Sequence, residues 1–226
     1  MGKKWGYILG IITLLTIIAA NYLIFIWVPA EKVMGIVQKI FYFHVAAAWV
    51  GFLAFFIVFI SSIKYLLTFN EKWDWYSAAS AEIGFVFMSI VLATGSIWGR
   101  AFWGHWWTWD PRLTTSLILW FIYAAYLLLR SGITLEGRRA RYSAVLGIIG
   151  FIDVPIVWFS VRWWRTVHPN LMESGKMAIT TKMSITLSLS VMAFTLLYAF
   201  LLPRVVKLYQ LDCTIQKTKD VIIRNL

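Results

Sequence analysis

The chain is built from six long apolar runs, at residues 5–28, 40–69, 77–98, 113–129, 142–161 and 178–202, joined by short connections. Each run is long enough to cross a hydrocarbon core of roughly 30 Å as a helix. A backbone inside that core must satisfy its own hydrogen bonds, and uninterrupted apolar runs lack the alternation a barrel strand needs. The sequence therefore predicts an all-α membrane protein with six transmembrane helices. The first run is longer than the apolar region of a signal peptide and has no convincing small-residue cleavage site, so it reads as a retained span.

Composition points the same way. Of 226 residues, 61% are hydrophobic, with a mean hydropathy of +0.75, which is more apolar surface than a soluble domain hides. The net charge of +11 is scattered between the apolar runs and forms no block, so it reads as membrane-topology charge and not as a nucleic-acid surface. Cys213 is the only cysteine, which excludes an internal disulfide, a CxxC redox pair and a CxxCH motif for covalent haem attachment. Residues 1–226 read as a single integral-membrane domain. Within it, 98–112 is a tryptophan-rich loop and 212–226 a short, charged, solvated cytoplasmic tail.

Six spans place both termini on one side. With the termini inside, the inner segments carry 13 Lys and Arg and the outer ones 8, so the positive-inside rule puts both termini in the cytoplasm. The outer eight are Lys32, Lys39, Arg100, Arg112, Arg162, Arg165, Lys176 and Lys182, and a ligand would explain that many on the less positive side. His44, His105 and His168 all fall on this outer face, with Trp163, Trp164 and the tryptophans of the loop.

The loop reads Trp98-Gly99-Arg100-Ala101-Phe102-Trp103-Gly104-His105-Trp106-Trp107-Thr108-Trp109-Asp110-Pro111-Arg112. An interfacial aromatic belt needs one or two aromatics per helix end, and here five tryptophans fall in fifteen residues. Large flat aromatic surfaces beside cations suit a large, flat, anionic, mostly apolar ligand, and haem is such a ligand. Asp110-Pro111 predicts a helix start, with Asp110 as N-cap and Pro111 as the first helical residue. Arg112 then lies in the first turn, where the helix dipole disfavours a cation. A propionate carboxylate at this helix N-terminus would explain it; pairing with Asp110 or a lipid phosphate is the competing explanation.

His44 shares a helical face with Ala47, Ala48 and Gly51, smooth enough either for a porphyrin edge or for a neighbouring helix. His168 precedes Pro169, which disfavours helix and puts the histidine in the outer loop. Its neighbours Trp163, Trp164, Arg162 and Arg165 suit either a ligand or an aromatic belt. Imidazole is a common axial ligand of haem iron, and His44 with His168 above a tryptophan shelf would supply two; His105, inside the shelf, competes, and spacing does not decide between them. Glu82 and Asp153 lie within spans and need partners, and Pro155 should kink the fifth span. No nucleophile or acid–base pair is aimed at a substrate, so the chain reads as a haem-handling protein and not as an enzyme. Two rivals are a b-type haem electron-transfer subunit and a transporter or transferase for a lipid-linked sugar.

The stretch Trp98-Gly-Arg…Trp103-Gly104-His105-Trp106-Trp107-Thr108-Trp109-Asp110-Pro111-Arg112-Leu113-Thr114 resembles the WWD signature of the haem-handling proteins of cytochrome c maturation. The six-span length, Phe43-His44-Val45-Ala46-Ala47-Ala48-Trp49 and Trp163-Trp164-Arg165-Thr166-Val167-His168 are most similar to the CcmC branch. Two positions depart from its pattern: His105 stands where a small hydroxyl residue is expected, and Ala46 where proline is frequent. The resemblance implies a multi-pass protein of the bacterial inner membrane with the WWD loop on the periplasmic face. It implies haem b held non-covalently, with His44 and His168 on the iron, Trp98, Trp103, Trp106, Trp107, Trp109 and Asp110 around the ring, and Arg112 on a propionate. The partners it implies are the haem chaperone CcmE, the small membrane protein CcmD, the ABC-type subunits CcmA and CcmB, and membrane lipid.

Overall fold

The structure, a computed structural model, describes residues 3–133, 135–166, 168, 172–173, 176–177 and 179–224. Among them, six helical stretches are long and apolar enough to cross a membrane. They are α1 (Lys3–Tyr22, extended by a π-helical turn Leu23–Trp27), α2 (Lys39–Thr68), α3 (Glu71–Trp103), α4 (Pro111–Gly132), α5 (Glu136–Phe151) with α6 (Asp153–Trp163), and α7 (Thr181–Arg224). A two-residue strand pair, β1 (Met172–Glu173) and β2 (Lys176–Met177), is antiparallel between α6 and α7. The proposed start of the sixth span at Ala178, and Pro169, lie outside the described residues. Below, the terminal end of the bundle is the one that carries both chain termini, and the distal end is the other.

Local chemistry sets the helix ends. Phe69, at φ 52°, closes α2 in the left-handed conformation, and its N–H donates to the Tyr65 carbonyl at 2.7 Å. The next residue, Asn70, caps α3 by accepting from the Lys72 N–H at 3.0 Å. Gly104, at φ 81°, ends α3, a conformation that any side chain would strain. At α4 the expected cap is present: Asp110 Oδ1 accepts from the Arg112 N–H at 2.9 Å, with Pro111 in the first turn.

The α2–α3 contact is the most extensive between the described helices, and small residues let the backbones approach. A Cβ on Gly51 would lie 2.8 Å from Met88 Sδ, and one on Gly84 would lie 2.6 Å from Phe55 Cε1. Ala47 is fully buried on the same seam. The face that carries His44 is thus divided: Ala47 and Gly51 pack against a helix, whereas Ala48 is left for the distal cavity described below.

The fifth span is two helices. Proline lacks an N–H, and its ring crowds the carbonyl four residues earlier; for Pro155 that carbonyl belongs to Phe151, where α5 ends. The kink expected from Pro155 is a break at Ile152. Below it α5 packs on α2 and α4, and above it α6 packs on α4.

One expectation needs correction: residues 98–103 are the last turns of α3, so the tryptophan-rich connection is shorter than the 98–112 loop. The tail from residue 212 is helical: α7 runs through Pro203 to Arg224, with Cys213 buried and the Lys217 ammonium 2.7 Å from Glu71. Glu82, on the exposed face of α3, accepts from the Tyr209 hydroxyl of α7 at 3.3 Å.

At the terminal end, Arg130 donates to both carboxylate oxygens of Asp74, at 2.6 and 2.9 Å, with both side chains buried. The pair ties the start of α3 to the end of α4.

Candidate functional site

The distal end opens into a cavity of about 900 Å³, at the upper end of what small-molecule and cofactor sites occupy. Its walls come from α2, α3, α4, α6 and α7 and from the connections around residues 29–38 and 168. They are mostly apolar, with His44, His168 and Arg112 among the polar groups.

His44 sits in the second turn of α2 and faces α3. Its Nδ1 lies 3.0 Å from Thr94 Oγ1, and Gly95 leaves room for the ring: a Cβ there would lie 3.1 Å from His44 Cε1. His168 reaches the cavity from the irregular segment after α6. Its N–H donates to Thr166 Oγ1 at 3.0 Å, and Thr166 in turn donates to Asp110 Oδ1 at 2.8 Å. Asp110 therefore serves two segments, capping α4 and holding the His168 loop; it does not line the cavity.

Arg112 reaches across to α6, donating to the Val157 carbonyl at 2.7 Å and the Trp158 carbonyl at 3.3 Å. Those carbonyls leave the remaining guanidinium donors for the cavity it lines. Of the eight outer cations, Lys32, Arg112 and Arg162 line the cavity. Three others bond the protein itself or lie over its rings. Lys39 donates to the Phe25 carbonyl at 2.9 Å, Arg100 donates to the Gly104 carbonyl, and Lys182 lies over the Trp27 ring at 5.3 Å.

The tryptophans divide. Trp98, Trp103 and Trp107 line the cavity, with Trp98 edge-on to Trp103 at 5.0 Å. The indole N–H groups of Trp98 and Trp107 are buried with no partner among the described residues, and a buried donor left so is costly. Trp106 and Trp109 are 60% and 77% exposed and do not line it. His105 is exposed, and its backbone carbonyl packs against Gly99, 3.3 Å from where a Cβ would stand. Ser96 holds the loop there by donating to the Trp106 carbonyl at 2.6 Å. The geometry thus brings His44 and His168 together and leaves His105 outside.

Sequence reasoning missed Trp49, Phe52 and Trp158 in the walls and Thr94 behind His44. Phe52 of α2 and Trp158 of α6 meet edge-to-face at 6.5 Å in that wall. The arrangement fits a ligand with a metal centre, a broad apolar plane and an anionic edge.

A family model described as heme exporter protein C, CcmC, matches residues 1–219. The chain belongs to the CcmC family. It is 37% identical over 175 residues to heme exporter protein C of Bradyrhizobium diazoefficiens, covering 76% of this chain and 66% of that protein. It is 40% identical over 144 residues to a ccmC-like mitochondrial cytochrome c biosynthesis protein of Marchantia polymorpha, covering 63% of this chain and 60% of that one. The Escherichia coli heme exporter protein C is 34% identical over 173 residues, 76% of this chain and 70% of that protein. The chain thus spans less than two thirds of the length of the first two relatives. CcmC membership agrees with the six apolar helices, which make this a multi-pass membrane protein.

Proposed function

We propose that this protein binds haem b non-covalently in the distal cavity, at the periplasmic face of the bacterial inner membrane, and delivers it to the haem chaperone CcmE during cytochrome c maturation. The observation that carries this reading is that His44 and His168, from segments far apart in sequence, wall one apolar cavity beside Arg112. Haem supplies an iron that takes two axial nitrogens, and His44 and His168 offer them. Trp98, Trp103 and Trp107 hold the ring plane, and the unpartnered indole donors of Trp98 and Trp107 gain an acceptor in its anionic edge. Arg112 meets a propionate through the donors that the α6 carbonyls leave, and Asp110 acts by fixing the His168 loop.

In this reading the protein holds and hands over, and bond formation belongs to the haem vinyl group and the side chain of CcmE. CcmD and the subunits CcmA and CcmB would complete the assembly. The excess of inner cations supports cytoplasmic termini, which puts the cavity outside. The test is the absorption spectrum of the purified protein beside His44→Ala, His168→Ala and His105→Ala. Low-spin bis-histidine bands that weaken with the first two and persist in the third are expected. Indifference to all three would remove the ligation scheme. A protein that carries no haem and works without His44 and His168 would leave the lipid-linked sugar as the reading to pursue.

A further inference from the structure

An imidazole binds a metal through one nitrogen, and the bond made by the other decides the tautomer and the plane of the ring. The group behind His44 is Thr94, 3.0 Å from Nδ1. A hydroxyl has a single hydrogen. Thr94 directs it to the Ile90 carbonyl at 2.7 Å, with the Val91 carbonyl at 3.3 Å on the same side. With that hydrogen committed to the helix backbone, Oγ1 faces His44 as an acceptor, and Nδ1 must carry the proton. Nε2, the nitrogen away from Thr94, is then left with its lone pair.

Gly95 completes the arrangement. A Cβ there would stand 3.1 Å from Cε1 and 3.6 Å from Nδ1 of His44, so even alanine would push the ring by a few tenths of an ångström. Gly95 has an ordinary helical backbone and is not needed for a turn. What its missing side chain provides is the seat for an imidazole.

We propose that Thr94 and Gly95 are the positioning residues of His44: the Thr94 hydroxyl accepts from Nδ1–H and keeps Nε2 unprotonated for the metal, and Gly95 sets how deep the ring sits. This rests on the reading of His44 as a haem ligand. Thr94 does not line the cavity and Gly95 does, without a side chain; both act through the histidine.

The test uses the full-length protein, purified in detergent and titrated with haemin, as wild type, Thr94→Val, Thr94→Ser, Gly95→Ala and His44→Ala. Valine keeps the shape of threonine and removes the acceptor, whereas serine keeps the acceptor. Loss of such a partner typically costs about 10–100-fold in metal affinity, and that loss is expected for Thr94→Val and not for Thr94→Ser. The haem that Thr94→Val retains should also show a raised midpoint potential, because an imidazole without an Nδ1–H acceptor is a poorer donor to ferric iron. Gly95→Ala should broaden or shift the low-spin bands while Nδ1 keeps its bond. Wild-type affinity and potential in Thr94→Val, with His44→Ala deficient, would overturn the role of Thr94 and leave the ligand assignment standing. Weakened affinity at an unchanged potential would make Thr94 merely structural and overturn it as well. Unaltered bands in His44→Ala would remove the ligand assignment and the proposal together.

Discussion

Thr166 donates to Asp110 Oδ1 at 2.8 Å, so the segment that carries His168 is fastened to the N-cap of α4. One helix and one loop meet at a single carboxylate. The acidic residue of the tryptophan-rich motif thereby controls a histidine that is remote from it in sequence.

Thr166→Val removes the fastening and leaves the cap. A hydrogen bond to a charged group contributes about 1.5–3 kcal/mol; here the loss should fall on the loop, giving a mixed-spin haem spectrum with little change in the melting temperature. Asp110→Ala removes the cap as well, worth about 1 kcal/mol, and should lower both. Absorption spectra and thermal unfolding of the two variants separate the effects.

The division of the tryptophans predicts a division of phenotypes. Trp107→Ala should weaken haemin binding at least tenfold, which corresponds to ~1.4 kcal/mol. Trp109→Ala and His105→Ala, which alter side chains outside the cavity, should leave it within about twofold. Equilibrium titration measures all three.

At the terminal end, removing one member of the buried Asp74–Arg130 pair leaves the other charge uncompensated. Asp74→Ala should destabilise the bundle by roughly 3–5 kcal/mol, and an apolar replacement of both residues should cost far less. Unfolding of the single and double variants in mixed micelles checks this, and haemin affinity of the folded fraction should not change.

Glu31 anchors the connection that forms one wall of the cavity. The backbone N–H groups of Met34 and Val33, each 2.7 Å from its carboxylate, hold its pKa below the ordinary glutamate range. A carboxyl so shifted adds stability that is present above its unfolded pKa and is lost as the pH falls through its folded one. Hydrogen exchange at Val33 and Met34 should therefore accelerate as the pH drops through the acid carboxylate range, relative to the intrinsic rate. Glu31→Gln should show no such step.

Much of this was legible in the chain because hydropathy acts locally. The six spans, the Asp110-Pro111 helix start and the interruption near Pro155 all follow from residues within a few positions of one another. What was not legible depends on partners distant in sequence. Asp74 and Arg130 flank apolar runs, so each alone reads as a loop charge; only the antiparallel packing of α3 on α4 makes them a pair. The Thr94 hydroxyl looks like any threonine that bonds its own helix until α2 brings His44 against it. The extent of the loop was misjudged because tryptophan reads as interfacial, whereas α3 continues until Gly104 offers a left-handed stop.

The break at Ile152 has a mechanical consequence. Below it the bundle is locked by small-residue seams and a buried ion pair; above it α6 is a short lever hinged at one residue and held to α4 through Arg112. A guest that meets Arg112 through its remaining donors would share that side chain with the bonds that steady α6, so one guanidinium serves both the wall of the chamber and its anion-binding group.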